Sequence, residues 1–321
     1  MTRSPFETPA RRPRPALIAA LALLASASPA AASQLRETSD FADVVAAVAD
    51  YANRYGAEQV LLVCDLDNTL LAMADELGSD QWFEWQVHLL TAKPDSPHLV
   101  ARDFAGLLAV QGGLFDLLPA RLTQPDLPLL VGRIQGLGGR TIVLTARGHE
   151  FRGATQYELK RHGFDFADHA VELADRGPES TAAGVAVFVP YRRESLEASG
   201  LTQAEFAAWR LKDVPDQVSY GNGIYMVAGQ HKGAMLAVLL ERAAQSFKAM
   251  VLVDQDRQVR RLFDALSRRD YEVTAFDYQR EEARVKAFQY GDQSAATRQW
   301  RRLNRILAED DAASAAAHAG R

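Results

Sequence analysis

The 321 residues include one cysteine, Cys64. An internal disulfide is excluded, so the fold must hold by packing alone. Cys64 sits inside an apolar run, which reads as a small buried hydrophobe rather than a reactive thiol. The chain also lacks any excess of base: 36 Lys and Arg face 41 Asp and Glu, a net charge of −5. That balance gives no bulk attraction for nucleic acid or for anionic lipid. His149, His162 and His231 fall in no H-x-x-x-H spacing, so a histidine-bound metal on one helix face is not indicated. No internal repeat is present.

Long apolar runs are scarce as well. The one that stands apart is N-terminal, Ala16 to Ala27, preceded by Arg11, Arg12 and Arg14 and followed by Ala30-Ala31-Ala32. A basic start, a short apolar stretch and small residues before a cut site have the layout of a secretory signal peptide, too short to span a bilayer well. Cleavage after residue 32 leaves 32 basic and 40 acidic residues, a net charge of −8. No cysteine near the new N-terminus could take a lipid. The expectation is an exported protein, periplasmic or extracellular, with no stable membrane insertion. Its oligomeric state is left open.

The remainder alternates buried-strand and helix patterns. Residues 33–57 carry an N-terminal helix, at 39–55, behind Ser39 or Asp40 as cap. Gln59 to Leu66, Arg140 to Leu144 and Ala249 to Val253 are continuous apolar runs of the kind that suits central parallel strands. A further strand is expected at 272–276, and another at 185–191. Asn222-Gly223 marks a hairpin turn. Helices are expected at 79–110 with a break at Pro94–Pro97, and at 128–137, 152–162, 202–211, 232–246, 256–268 and 294–308, the last within a C-terminal segment 291–321 that frays after Asp310. Strands alternating with helices predict an α/β fold with a parallel sheet flanked by helices. Ligands of such sheets bind beyond the carboxyl ends of the strands.

Three of the apolar runs end in chemistry. Asp65-Leu66-Asp67-Asn68-Thr69 follows the first, Thr145-Ala146-Arg147 the second and Asp254-Gln255-Asp256 the third. Lys232 opens the helix that leads into the third. Each feature alone has a bland reading. Asp67-Asn68 suits a turn, Thr145 a helix cap, and Arg147 a surface ion pair. Trp82, Phe83 and Trp85 suit a helical core. Their common position at strand ends is what favours a site.

In this order the residues resemble the motifs of the haloacid dehalogenase superfamily. The resemblance covers about residues 58–290. Within it the chain is similar to a little-characterised bacterial branch, through Leu77-Gly78-Ser79-Asp80-Gln81-Trp82, Thr145-Ala146-Arg147, Thr155 to Leu159 and the Gly223-Ile224-Tyr225 strand. The resemblance implies a Rossmann-like core with two cap insertions, at about 72–120 (helical) and 165–225 (with some strand). It implies a phosphomonoester hydrolase that takes a small phosphorylated substrate. Asp65 would be the nucleophile and Asp67 the general acid and base. Thr145, Lys232 and Arg147 would hold the phosphate. Mg²⁺ would be bound by Asp65, the Asp67 backbone carbonyl and Asp254, with Asp256 either a displaced fourth ligand or a helix cap. The second Asp of the first motif speaks against a dehalogenase. A phosphomutase or phosphotransferase, and a weakly active or inactive binding protein with the same fold, stand as alternatives; Gln255, where many relatives carry a second acid, favours the latter. A phospho-accepting receiver domain does not fit the motif order.

Overall fold

The computed structural model describes residues 33–174 and 184–319, with side chains to Glu309. The expected signal segment 1–32 lies outside the described residues.

The chain opens with a strand absent from the sequence reading, β1 (Gln34–Thr38), and then α1 (Ala42–Tyr55). Asp40 accepts the Ala42 N–H at 3.0 Å at the start of that helix. β2 (Val60–Cys64) is buried at every position, as its unbroken apolar run predicts. A short ribbon follows, made of β3 (Leu71–Met73) and β4 (Ala120–Leu122). Between these strands rise α2 (Asp80–Ala92) and α3 (Phe104–Leu117), so residues 72–120 form a helical insertion carried on a two-stranded stalk. The chain continues through α4 (Leu127–Gly136), β5 (Arg140–Thr145) and α5 (Arg152–Arg161). β6 (Ala186–Phe188), α6 (Gln203–Ala208), β7 (Val218–Gly221) and β8 (Ile224–Met226) come next. α7 (Lys232–Glu241), β9 (Ala249–Asp254), α8 (Asp256–Leu266) and β10 (Glu272–Tyr278) complete the core. α9 (Glu282–Tyr290) and α10 (Ser294–Ala319) close the chain. α10 is helical to Ala319.

Eight strands form one sheet in the order β1-β10-β9-β2-β5-β8-β7-β6. The first six in that row are parallel neighbours; β7 and β6 are antiparallel additions at the far edge. This is the expected α/β, Rossmann-like architecture. The second insertion expected at 165–225 is corrected in one respect: its strands β6 and β7 extend the main sheet instead of standing apart as a cap. Their apolar residues Ala186, Phe188, Val218 and Tyr220 join the same core as α7 and α8. The opposite face of the sheet is covered by α1, α4 and α5 residues, among them Val44, Val48, Leu130, Ile134 and Leu159.

β2 lies between β5 and β9. The chain leaves it toward β5 on one side and comes back through β9 on the other, which opens a crevice at the carboxyl ends of these three strands. The helical insertion has its own small core of Leu77, Trp82, Leu107 and Leu114, completed by Phe288 and Ala296 from the C-terminal helices. Trp85 meets Phe288 edge-on at 5.9 Å. The tryptophans of α2 therefore serve packing.

The β7–β8 hairpin turns at Asn222 (φ 52°) and Gly223 (φ 72°), the backbone of a two-residue turn with both central residues left-handed. Arg152, buried, braces this hairpin. It donates to the carbonyls of Ser219 at 3.0 Å, Gly221 at 3.2 Å and Ile224 at 3.1 Å. Burial brings its pKa down to about 10. A side chain at Gly223 would lie 2.6 Å from both Cβ and the carbonyl oxygen of Phe166. Gly223→Ala is expected to cost about 2–4 kcal/mol from backbone strain plus overpacking. Urea denaturation would show a lower midpoint at unchanged slope.

Candidate active site

The parallel register puts Asp65, just past β2, beside the end of β9. Its N–H donates to the Val253 carbonyl at 2.8 Å. Asp254 is the last residue of β9, so two carboxylates stand side by side at the crevice. Lys232 enters between them from the first position of α7. Its Nζ is 2.6 Å from Asp65 Oδ1 and 2.8 Å from Asp254 Oδ2, and its side chain is 2% exposed. The dipole of α7 disfavours a cation there; the carboxylates hold it. Burial alone would lower the Lys232 pKa, but Asp254 and Asp65 outweigh it and keep the ammonium above its usual range. Asp65 moves the other way. Burial first, then the Asp254 charge, raise its pKa well above the usual carboxylate range, and Lys232 only partly compensates.

α7 reaches this position because of two neighbours of Lys232. His231 caps the helix, its Nδ1 accepting the Ala234 N–H at 3.1 Å, and its ring stacks on Trp209 at 5.0 Å. Gly233 allows α7 to press on α8: a Cβ there would lie 2.6 Å from Ala265 Cβ and 2.7 Å from the Arg261 carbonyl. Burial, then the Arg261 charge, hold the His231 pKa down to about 4.

Asp67 lies two residues farther along the same loop. Arg147, just past β5, grips it with two bonds, Nε to Oδ2 at 2.9 Å and Nη2 to Oδ1 at 2.7 Å. The guanidinium carbon lies over the Phe115 ring of α3, 3.6 Å from its centre, and Nη1 donates to Thr155 Oγ1 at 3.0 Å. Arg147 is thus neither a surface ion pair nor a free fork for an anion; its Asp67-facing donors are engaged. Thr145, buried, accepts the Arg147 N–H at 3.2 Å. Gln255 Nε2 donates to the Asp67 carbonyl at 3.3 Å, and its backbone N–H to Asp254 Oδ1 at 2.7 Å.

Asp256 needs correction. It does not join the cluster: its side chain is 88% exposed, with Arg260 at 4.0 Å. It is also not the cap of α8, since Gln255 holds that position. The carboxylate that sequence reasoning missed is Asp277, one strand over, in register with Asp254. It is buried and accepts the Asp256 N–H at 2.9 Å. The signal was present, because Asp277 lies within one residue of the end of its strand, as Asp65 and Asp254 lie at the ends of theirs. Asp80 was also missed. It opens α2 behind the Ser79 cap and is exposed to solvent. Surrounding protein, then Asp67 and Glu84, push its carboxyl up to about 7, although solvent at its side screens part of that rise. The motif loop is tied to the insertion through Asn68 Nδ2, which donates to Gln81 Oε1 at 3.2 Å.

The cluster can do two things chemically. Asp65 Oδ1 is taken by Lys232, which leaves Oδ2 as a nucleophilic or metal-binding oxygen. Three carboxylates, Asp65, Asp67 and Asp254, face two cations, so the site carries surplus negative charge. Oxygen donors with such a surplus suit a hard divalent cation, and Mg²⁺ commonly binds through one or two carboxylates and keeps several waters. Among the described residues no three acidic, His or Cys side chains converge on one point. A cation here would rest on Asp65, Asp254, the Asp67 carbonyl and water. A separate cavity of about 260 Å³, lined by Leu108, Gly112, Asp116, Glu150 and Phe151, includes none of these residues.

The molecule is therefore an α/β protein with a lysine-bridged carboxylate centre at the crossover of its sheet. It belongs to the family described as protein of unknown function DUF2608, whose model matches residues 37–313. No curated protein and no solved structure matches it.

Two consequences follow from this geometry. Lys232→Met leaves two facing carboxylates without their shared cation and is expected to cost about 3 kcal/mol in urea unfolding. His231, held neutral in the fold, ordinarily titrates near 6.5. The unfolded chain therefore binds more protons between about pH 6.5 and 4, and stability falls as pH drops through that window. Between pH 7 and 5 the wild type should lose about 1–2 kcal/mol more than His231→Asn, which keeps a capping oxygen. Equal losses in the two proteins would refute this.

Proposed function

We propose that this protein is an exported, Mg²⁺-dependent phosphomonoester hydrolase of the haloacid dehalogenase type, working through an aspartyl-phosphate. The observation that carries the reading is the buried Lys232 bridge between Asp65 and Asp254, with Asp67 and Thr145 beside it at the ends of neighbouring parallel strands.

Asp65 Oδ2 attacks phosphorus in line; the new O–P bond forms as the bond to the leaving oxygen breaks. Lys232 holds the other carboxylate oxygen, which fixes the angle of attack, and pairs with the phosphoryl group. Thr145 donates its hydroxyl to a phosphoryl oxygen. Arg147 is the residue whose role the geometry refines. An incoming phosphate dianion competes with Asp67 for the guanidinium, and Asp67, released from that cation, more readily carries the proton it delivers to the leaving alkoxide. Asp67 then takes a proton from the water that cleaves the aspartyl-phosphate, and free phosphate leaves. Asp65, Asp254 and the Asp67 carbonyl would hold Mg²⁺, which would supply charge neutralisation for the attack of an anion on an anion. The helical insertion, held beside Asp67 through Phe115 and Gln81, would keep water from the reacting groups.

No described helix is long and apolar enough to cross a membrane. Export rests on the Arg-flanked apolar stretch of residues 1–32. The alternative of a binding protein that keeps the fold draws on Gln255, whose amide occupies the Asp67 carbonyl assigned to the metal.

The test is hydrolysis of p-nitrophenyl phosphate by a chain beginning at Ser33. Turnover is expected with Mg²⁺ and abolished by EDTA, and Asp65→Asn should lower kcat by about 10³-fold or more. A folded wild type inactive across a broad panel of phosphomonoesters would move the assignment to the binding protein.

A further inference from the structure

A hollow of about 260 Å³ lies where the helical insertion meets the main body. On the insertion side its lining includes Leu108, Gly112 and Asp116, spaced four residues apart along α3 and so on one face of that helix. On the other side stand Glu150 and Phe151, from the turn His149–Phe151, and Ala154 in the first turn of α5. Phe151 is buried, and Leu108 packs against the same apolar core. A β-carbon on Gly112 would lie 2.9 Å from Phe151 Cε1, so helix and ring are in close contact there. Gly112 and Ala154 add little bulk beside that contact, and the space remains open.

The charges in the lining have one sign. Asp116 and Glu150 are both exposed to solvent, and no Lys, Arg or His lines the hollow with them. Among the described residues neither carboxylate has an ion-pair partner; Arg147, three residues before Glu150, is held by Asp67 instead. The Glu150 carboxylate folds back against Gly148, where it would collide with a β-carbon. Two unneutralised carboxylates over an apolar floor suit an organic cation better than a metal ion. A hard metal ion takes six or so oxygen ligands, which this lining does not supply. An ammonium group has three donors for the two acids, and its carbon body covers the floor. The hollow also adjoins the supports of the candidate active site. Phe151 meets Phe115 edge-on at 5.5 Å, and the Arg147 guanidinium carbon lies 3.6 Å from the centre of the Phe115 ring.

We propose that this hollow is a binding site for a small organic cation, a primary ammonium on an apolar body of about four to six carbons. Asp116 and Glu150 line the same small space, so one ammonium meets both through charge-assisted hydrogen bonds. The carbon body rests on Leu108 and Phe151. The site shares no residue with the carboxylate centre and does not depend on the hydrolase reading. A ligand seated on Phe151 is separated by two rings, Phe151 and Phe115, from the guanidinium that grips Asp67.

The experiment compares n-butylammonium and n-hexylammonium chloride with 1-butanol and 1-hexanol. Binding is read by calorimetry at about 0.15 M NaCl, which screens diffuse attraction to an acidic protein. At one chain length the ammonium should bind wild type about tenfold or more tightly than the alcohol. The double variant Asp116→Asn/Glu150→Gln should bring that ratio near one. Ala154→Leu, which fills the hollow and keeps both acids, should weaken hexylammonium about fivefold or more. Circular dichroism establishes that each variant is folded. Should Ala154→Leu fail to fold, Ala109→Trp takes its place, since Ala109 is exposed on α3 and lines the same hollow. A wild-type ratio near one at both lengths, or a ratio unchanged in the folded double variant, overturns the site. So does hexylammonium affinity that survives in a folded filling variant, because the cation then lies on the acidic surface outside the hollow.

Discussion

Everything at the crevice depends on one buried ammonium. Lys232 lies between Asp65 and Asp254 with almost no exposure to solvent. Burying three charges is costly, and such clusters are weak contributors to net stability, yet removing one partner leaves the rest uncompensated. The arrangement persists because several independent constraints converge on it. β2 and β9 pair in a register that sets their terminal residues level. His231 caps α7, and the missing side chain of Gly233 lets that helix lie against α8. Each constraint belongs to the packing of the sheet and its helices, and together they leave Lys232 with no alternative position. One ammonium shared by two carboxylates also leaves the site short of positive charge, which is the electrostatic demand that a divalent ion or a phosphate-binding donor set can answer.

The helical insertion is not a loosely tethered lid. Asn68 in the motif loop bonds to Gln81, Gln81 to Glu76 at 2.8 Å, and Glu76 to Arg284 on α9 at 2.5 Å. Arg284 also donates to the Met73 carbonyl on the ribbon at 2.8 Å. Polar contacts of this kind run from the candidate nucleophile's loop through the insertion to the C-terminal helices. The apolar contacts follow the same route, since Phe288 and Ala296 complete the core under Trp82. α9 and α10 therefore buttress the insertion, and its place beside the motif loop is set partly by the C-terminal helices.

Much of this was legible in the sequence because burial on both faces of a parallel strand leaves an unbroken apolar signature. The runs at β2, β5 and β9 announced the sheet, and the residues after them announced the crevice. The Asn222-Gly223 turn was equally plain, because few residue pairs tolerate that backbone. What escaped notice lacked such signatures. β1, with its sequence Gln-Leu-Arg-Glu-Thr, is an edge strand exposed along most of its length, so no apolar run marks it. β3 and β4 are three residues each, too short for a pattern. Asp277 was overlooked because its role comes from lying in register with Asp254, a relation between strands far apart in the chain. The partners of Arg147 were invisible for the same reason: Asp67 is 80 residues away, and Phe115 reaches it only through the fold of the insertion. Asp256 misled because spacing along a chain says nothing of direction; α8 starts there and turns its carboxylate to solvent.

The edge position of β1 has a bearing on how this molecule comes into being. β1 pairs with β10, and the hydrogen bond from Val273 to Ser33 beside that pair spans 240 residues. The first of the described strands to be made thus waits for the last. Contacts of such sequence separation are slow to form because the intervening loop must close first. Until β10 is made, β1 has no partner, whereas β5, β2 and β9, which frame the crevice, can already pair with one another. The enclosed charges, whose burial is tolerable only once all are present, can meet as soon as β9 lies beside β2, and the edge strand β1 is fixed after them.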